Sequence, residues 1–352
     1  MVTVRRPRAI ALVAAAVFAA SCSPAMAWRP KPSPVEQVAP LPPPPPPAAA
    51  AGLPYPMLAD AAAYQAWLGK VTSTSPDFKS GVEVAQSLKV GAAYEPKALV
   101  RGAIAYAAVA ALADQTFVTQ LRAAGSTPEY RHQMAGYILY NPVYVFQFKD
   151  SDTAAGLARQ ALGAAGLQLY AAGRTIKLAA YAVQHQAWSK EEVADRSARL
   201  AAVEAAAENP IPPADDQIPA LQRAASGVAP LPISAAPSEP PYTPLVAHAL
   251  QLAAIAALGE ATDQSYNSLT SIMSDDDSTA CLHMAKLNLH QCLAVAKPNY
   301  EDIFCLGQHA MSDTGACLAK NAGMDVPAEP SHVVATPATS TKATKKTRHA
   351  HG

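Results

Sequence analysis

Apolar residues recur at helical spacing along most of this chain, and polar or proline-rich stretches divide them into segments. Between residues 55 and 208, each helical pattern follows a recognisable start signal. The signals are Asp60 before 61–71, Ser75 before 78–90, Thr127 before 130–140, and a Ser189/Glu192 capping box before a helix to about residue 208. We therefore predict a helical body over residues 55–208.

Three segments resemble membrane spans in composition: 102–113, 161–182 and 245–258. A span needs about 20 apolar residues; the first and third are shorter, and polar residues interrupt the second. We expect buried core helices instead. Half of the chain is apolar, yet aromatic residues make up only 6% and alanine dominates. Small side chains let helices approach closely, so the predicted class is an all-α, alanine-rich helical bundle. No repeat of 20 to 50 residues stands out.

The last helical segment, residues 244–324, contains two patterns folded about the turn Lys297-Pro298-Asn299. Acidic and hydroxyl side chains at 274–279 can cap the first helix, and Pro298 stops it. Asn299 is placed to cap the second helix. A connection this short makes the helices antiparallel neighbours, so the sequence predicts a C-terminal helical hairpin.

Four cysteines, Cys281, Cys292, Cys305 and Cys317, lie almost symmetrically about that turn. Two cysteines on the same helix lie about 16 Å apart at 1.5 Å per residue. A disulfide needs Cα atoms within roughly 7 Å, so pairing within a helix is excluded. Pairing Cys281 with Cys305 and Cys292 with Cys317 would need parallel helices, which so short a turn does not allow. We therefore predict nested bridges, Cys292–Cys305 inside Cys281–Cys317. Twelve helical steps leave Cys317 about 120° from Cys305, so we expect local unwinding, at Gly315.

This layout resembles the twin-cysteine hairpins called CHCH (coiled-coil-helix-coiled-coil-helix) domains. The ten and eleven residues between its cysteines exceed that family's usual spacing, so the likeness is one of geometry in this segment. The alternative is a metal site that adds His283, His290 and His309 to the cysteines. Cys281 and His283 would lie about 200° apart on a helix, and no C-x-x-C occurs. Disulfides are therefore favoured, and no cofactor is expected.

The N-terminus carries an export signal. Three arginines precede an apolar run from residue 9 to 20, followed by small residues ending at Ala27, which predicts a signal peptide over 1–27. Ala19-Ala20-Ser21-Cys22 is a weak lipobox, so lipid attachment at Cys22 is the alternative to cleavage after Ala27. Residues 28–54 include six consecutive prolines from Pro42, which predicts an extended spacer. We expect a periplasmic or outer-membrane-associated protein.

Two further segments are irregular. Residues 209–243 are proline-rich, and we expect a linker between domains or a strap across one domain, with a short helix near 220–226. Residues 325–352 form a basic tail that we expect to be disordered. Removing three leader arginines and four tail cations from the 27 basic residues leaves 20 against 27 acidic ones. A cationic tail on an anionic body can bind cell-wall polymer or anionic lipid.

One aromatic patch stands out in the body. Residues 137–148 hold Tyr137, Tyr140, Tyr144, Phe146 and Phe148. In an extended conformation, the alternating rings at 144, 146 and 148 would share one face and form an apolar or sugar-stacking groove. The competing interpretation, which we favour, is that these rings fill the core of an alanine-rich fold.

Motifs for catalysis are absent: the chain has no G-x-S-x-G, H-E-x-x-H, phosphate-binding loop or dinucleotide fingerprint. Glu83 and Glu260 are not followed by the serine expected of a helical cell-wall lyase. Zero net charge argues against nucleic acid. We expect an exported, non-enzymatic structural or interaction module of the bacterial envelope that contacts cell-wall polymer, anionic lipid or another envelope protein. An envelope enzyme acting on a glycan and a metal-handling protein are the alternatives.

Overall fold

The structure is a computed structural model that describes residues 52–328. The predicted signal peptide, Cys22, most of the spacer and most of the basic tail lie outside the described residues. Within them the chain forms fifteen α-helices and no β-strand, which confirms the all-α class. Two 3₁₀ turns occur at Ala205–Glu208 and Thr270–Met273, and a π-helix at Leu306–Asp313.

The helices are α1 Tyr55–Thr72, α2 Gly81–Ala92, α3 Pro96–Ala111, α4 Gln115–Ala124, α5 Pro128–Tyr140, α6 Pro142–Val145, α7 Ser151–Val183, α8 Ala187–Lys190, α9 Arg196–Glu204, α10 Gln217–Ala225, α11 Pro244–Ala257, α12 Tyr266–Leu269, α13 Asp276–Val295, α14 Asn299–Cys305 and α15 Thr314–Asn321.

Helices α3 and α11 form the centre, because most residues of α3 and almost all of α11 are buried. Both begin with a proline in the first turn after a side-chain cap, Glu95 for α3 and Thr243 for α11. Their alanines let neighbouring helices pack closely around them. All described residues belong to one compact unit. Within 209–243, α10 packs against α1 and α3.

The long helix α7 packs against the end of the hairpin through glycines. A Cβ atom on Gly173 would lie 2.5 Å from the nitrogen of Ser312, and one on Gly166 would lie 2.5 Å from the nitrogen of Ala319. Gly307 and Gly315 face α7 in the same way, against the backbones of Lys177 and Tyr170. The two helices therefore meet backbone to backbone along this glycine seam.

Four local expectations are corrected. The helix expected to start after Asp60 begins at Tyr55, behind Pro54. The helix expected over 78–90 begins at Gly81 and is capped by Ser80 instead of Ser75. The unwinding expected at Gly315 lies upstream, in the π-helix Leu306–Asp313. Its i→i+5 bonds turn the chain less per residue than an α-helix, which brings Cys317 round to the side of Cys305. The helix expected from Ser189 to about 208 is interrupted, and Asp195 caps α9 instead. Residues 191–193 leave the helix to pair with the hairpin turn.

Among residues 52–328, no single helix is both long and apolar enough to cross a membrane. Helices α3 and α4 reach that length and composition only as a pair, and the chain bends by 90° between them.

Candidate functional site

Both predicted disulfides are present in the hairpin. Cys281–Cys317 and Cys292–Cys305 have Cα separations of 5.8 and 5.7 Å, which is ordinary disulfide spacing. The nested pairing predicted from the antiparallel geometry is confirmed. Because the four sulfurs bond one another, they are not available as thiolate ligands for a metal. Among residues 52–328, no three His, Cys, Asp or Glu side chains are placed to hold one ion.

The turn of the hairpin is clasped by the segment that precedes α9. The nitrogen of Val193 donates to the carbonyl of Lys297 at 2.9 Å, and that of Asn299 donates to the carbonyl of Glu191 at 3.2 Å. The Asn299 side chain donates to the carbonyl of Trp188 at 3.0 Å. Asn299 thus holds the turn to the body instead of capping α14, for which it makes no capping bond.

Two arginines of α9 complete this clasp by donating to carbonyls that the end of α13 leaves without helical partners. Arg196 reaches the carbonyls of Ala294 and Ala296 at 2.7 and 2.9 Å. Arg199 donates to the carbonyl of Leu293 and, at 2.5 Å, to the carboxylate of Asp302. The positive side chains also complement the negative end of the α13 dipole.

Burial perturbs the ionisable groups beneath the hairpin. Burial raises the pKa of Asp302 to about 6, although the hydrogen bond from Arg199 acts in the opposite direction. Burial lowers the pKa of Lys286 to about 8. Lys286 donates to the carbonyl of Tyr94 at 2.5 Å and lies 4.9 Å from its ring centroid. The Tyr94 hydroxyl contacts that of Thr314 at 3.2 Å. These contacts fix the hairpin to the α2–α3 connection.

The aromatic patch is helical, so the extended conformation on which the groove interpretation of residues 144–148 depended is not adopted. Pro142 starts α6, and the chain continues in turns through Phe148. Tyr144 stands edge-on to Tyr137 at 4.9 Å and to Phe148 at 5.5 Å between ring centroids. Phe146 points elsewhere and packs on Tyr242 at 4.7 Å. The structure therefore brings three of the five rings together and separates Phe146 from them.

The outer side of this cluster is open. Tyr140 is 81% exposed and Tyr137 54%, with Val143 exposed beside them. Tyr130, two helical turns before Tyr137, is also exposed on the same side of α5. We call Tyr130, Tyr137, Tyr140 and Val143 the tyrosine face. Tyr130 was not singled out from sequence, although its spacing of seven from Tyr137 is the signal that identifies it.

The tyrosine face is held in place from beneath. Thr127 caps α5 by accepting from the nitrogen of Tyr130 at 3.2 Å. Gln251 of α11 is buried and donates to the carbonyl of Ile138 at 2.8 Å, near the end of α5. Exposed rings on a fixed helix can contact a partner at little cost in ordering.

The two glutamates considered for catalysis have structural partners. Glu83 accepts from the backbone nitrogen of Lys79 at 2.8 Å, and Ser80 caps α2 by accepting from the nitrogen of Glu83. Glu260 contacts His132 at 3.1 Å. No protein-family model, curated protein or solved structure matches this chain.

Proposed function

We propose that this chain is an exported, non-enzymatic interaction module of the bacterial envelope, and that its tyrosine face binds a cell-wall glycan. The observation that carries the proposal is the exposure of Tyr137 and Tyr140 on a helix anchored from beneath. Tyrosine combines an apolar ring, which packs on the C–H face of a sugar, with a hydroxyl that hydrogen-bonds to it.

Two features support localisation in the cell envelope. The disulfide pairs are compatible with an oxidising compartment, where such bonds persist. The first 27 residues have the pattern of a secretory signal. We expect the mature protein in the envelope fraction, either cleaved after Ala27 or lipid-modified at Cys22. Intact mass of the protein from that fraction distinguishes these forms, and full-length chain confined to the cytoplasm would refute export.

Co-sedimentation of the purified, oxidised protein with isolated peptidoglycan tests the binding. We expect saturable binding that falls at least tenfold in the double variant Tyr137→Ser/Tyr140→Ser. Tyr55→Ser is the matched control, because Tyr55 is 66% exposed but lies on α1. Equal binding by both variants would refute the tyrosine face as the contact surface. Binding to anionic lipid vesicles in place of peptidoglycan would refute the glycan as the partner.

A further inference from the structure

The chain contains an internal repeat whose copies lie far apart in sequence. Residues 99–112 of α3 and 245–258 of α11 align without a gap at a spacing of 146. The identical positions in the first segment are Leu99, Val100, Ala103, Ala107, Ala108, Ala110, Ala111 and Leu112. Shortly after each segment comes a related tetrapeptide, Asp-Gln-Thr-Phe at 114–117 and Asp-Gln-Ser-Tyr at 263–266.

A second pair of matching segments follows in the same order. Residues 151–161 read SDTAAGLARQA and residues 312–322 read SDTGACLAKNA, so seven positions are identical and three others are conservative. The first lies at the start of α7 and the second spans the start of α15. We call residues 99–161 the first copy and residues 245–322 the second copy.

The packing of the two copies is reciprocal. Helix α11 of the second copy packs against α4 and α5 of the first, and α3 of the first packs against Thr270–Met273 and α13 of the second. Arg159, near the end of the first copy, also donates to the carbonyl of Gly323, the residue that follows the second copy, at 2.7 Å. Reciprocal contact between equivalent elements is the pattern of a two-fold homodimer. The contacts of α3 and α11 with the elements that follow the other helix are therefore reciprocal in part, as in a two-fold homodimer.

The second copy is longer, and the extra length lies in the hairpin. Between the tetrapeptide and the SDT motif, the first copy has 33 residues, 118–150, and the second has 45, 267–311. This interval contains the clasped turn, α14 and most of the π-helix. It also contributes most of the wall of a cavity of about 490 Å³, which the C-terminal part of α7 completes. Every residue that lines this cavity lies outside the matched segments.

The wall of the hairpin cavity contains three aromatic rings and a disulfide. Tyr181 and Phe304 stand at 75° with their ring centroids 6.3 Å apart, and Tyr300 adds a third ring. The Cys292–Cys305 disulfide forms part of the wall. The volume lies within the roughly 300–1,000 Å³ of sites that bind small molecules, which are also mostly apolar with a few placed polar groups.

The charge of the cavity selects its ligand. Glu301 is the one charged side chain among the described lining residues, and its carboxylate is oriented by the backbone nitrogen of Lys297 at 2.8 Å. The ammonium group of Lys177, which is not among the lining residues, lies 5.5 Å from the ring centroid of Phe304. Aromatic rings beside a carboxylate are complementary to a positively charged group on an apolar body.

From this geometry we propose that the hairpin cavity, which the longer interval of the second copy forms together with the end of α7, binds a small amine with an aromatic or aliphatic body. The rings contact the apolar body, and Glu301 pairs with the ammonium group. This site is separate from the tyrosine face and does not depend on the glycan proposal.

Calorimetric titration of the oxidised mature protein with phenethylamine tests the proposal. The probe of opposite charge is 3-phenylpropionate. We expect saturable binding of the amine, at least tenfold weaker binding of the acid, and at least tenfold loss in Glu301→Gln. That variant keeps an oxygen to accept from Lys297. Glu129→Gln, at an exposed position in the first turn of α5, should bind as wild type does.

Amide NMR shifts on wild-type protein provide a second readout that needs no variant. We expect the amine to perturb residues 292–305 and the end of α7. Absence of saturable binding, equal affinity for the two probes, or shifts confined to other regions would each overturn the proposal.

Discussion

The two copies share a scaffold but differ in how their outer helices are held. In the first copy, α5 and α6 carry no cysteine and leave Tyr137 and Tyr140 exposed. In the second, two disulfides join α13 to the helices that follow, and two arginines of α9 cover its end. One scaffold therefore supports an open aromatic surface in one copy and a reinforced hairpin with a cavity in the other.

The largest expected effect comes from breaking the clasp, which exists only on the second copy. Arg199→Ala leaves the carboxylate of Asp302 buried without its partner, and breaking a buried pair in this way costs about 3–5 kcal/mol. Urea unfolding at pH 8 measures this loss. Arg196→Ala is the control, because Arg196 bonds to carbonyls only and its loss should cost about 1–2 kcal/mol. Equal losses in the two variants would contradict the role given to the buried pair.

Removing the inner disulfide comes next. Cys292→Ser/Cys305→Ser opens a loop with a sequence separation of 13, and loop entropy predicts a loss of about 3 kcal/mol in the free energy of unfolding. Urea unfolding of oxidised protein measures it. Full reduction of the wild type should lower the free energy of unfolding further, because it breaks the outer bridge Cys281–Cys317 as well. An unchanged midpoint in the double variant would contradict a stabilising role for the inner bridge, with the outer bridge Cys281–Cys317 still in place.

The glycine seam joins α7 to the end of the second copy, so its substitution tests how tightly these two elements pack. In Gly173→Ala the new methyl group would meet the backbone of Ser312, and such overpacking costs about 1–3 kcal/mol. Gly136→Ala is the matched control on α5. Its Cβ meets nothing within 4 Å, so it should stabilise by up to about 1 kcal/mol. Thermal unfolding of both variants gives the comparison, and a neutral Gly173→Ala would contradict the close approach.

A pH dependence is also expected from the buried carboxyl group of Asp302 in the second copy. The pKa of Asp302 is raised from 3.8 to about 6 by burial, so the folded chain holds a proton that the unfolded chain releases between these values. The contribution of this group to stability is therefore present at low pH and is lost as pH rises through about 6. Carboxyl NMR should show Asp302 titrating near pH 6. Titration near pH 4 would mean that pairing with Arg199 outweighs burial.

The sequence predicted the local features of the fold and missed those formed between distant residues. The nested disulfides followed from one short turn, and Thr127 and Asp275 cap helices where the pattern expects it. The contact between Arg199 and Asp302 could not be predicted from the sequence, because the two residues are 103 positions apart. The extended conformation considered for residues 144–148 is not adopted, because Pro142 starts a helix.

The similarity between the two copies was not predicted from the sequence, for a different reason. Alanines make most of the identities between α3 and α11, and in an alanine-rich chain such matches carry little information individually. The spacing also changes from 146 to 161 between the matched segments. Only the reciprocal packing of the two copies gives these matches a common geometric cause.

Hydrogen exchange of the oxidised protein, with and without solubilised cell-wall glycan, tests the division between the copies most directly. We predict that glycan slows exchange in residues 130–148 of the first copy and leaves residues 279–296 of the second unchanged. Slowing at 279–296, or no change at 130–148 under saturating glycan, would contradict the tyrosine face as the interaction surface.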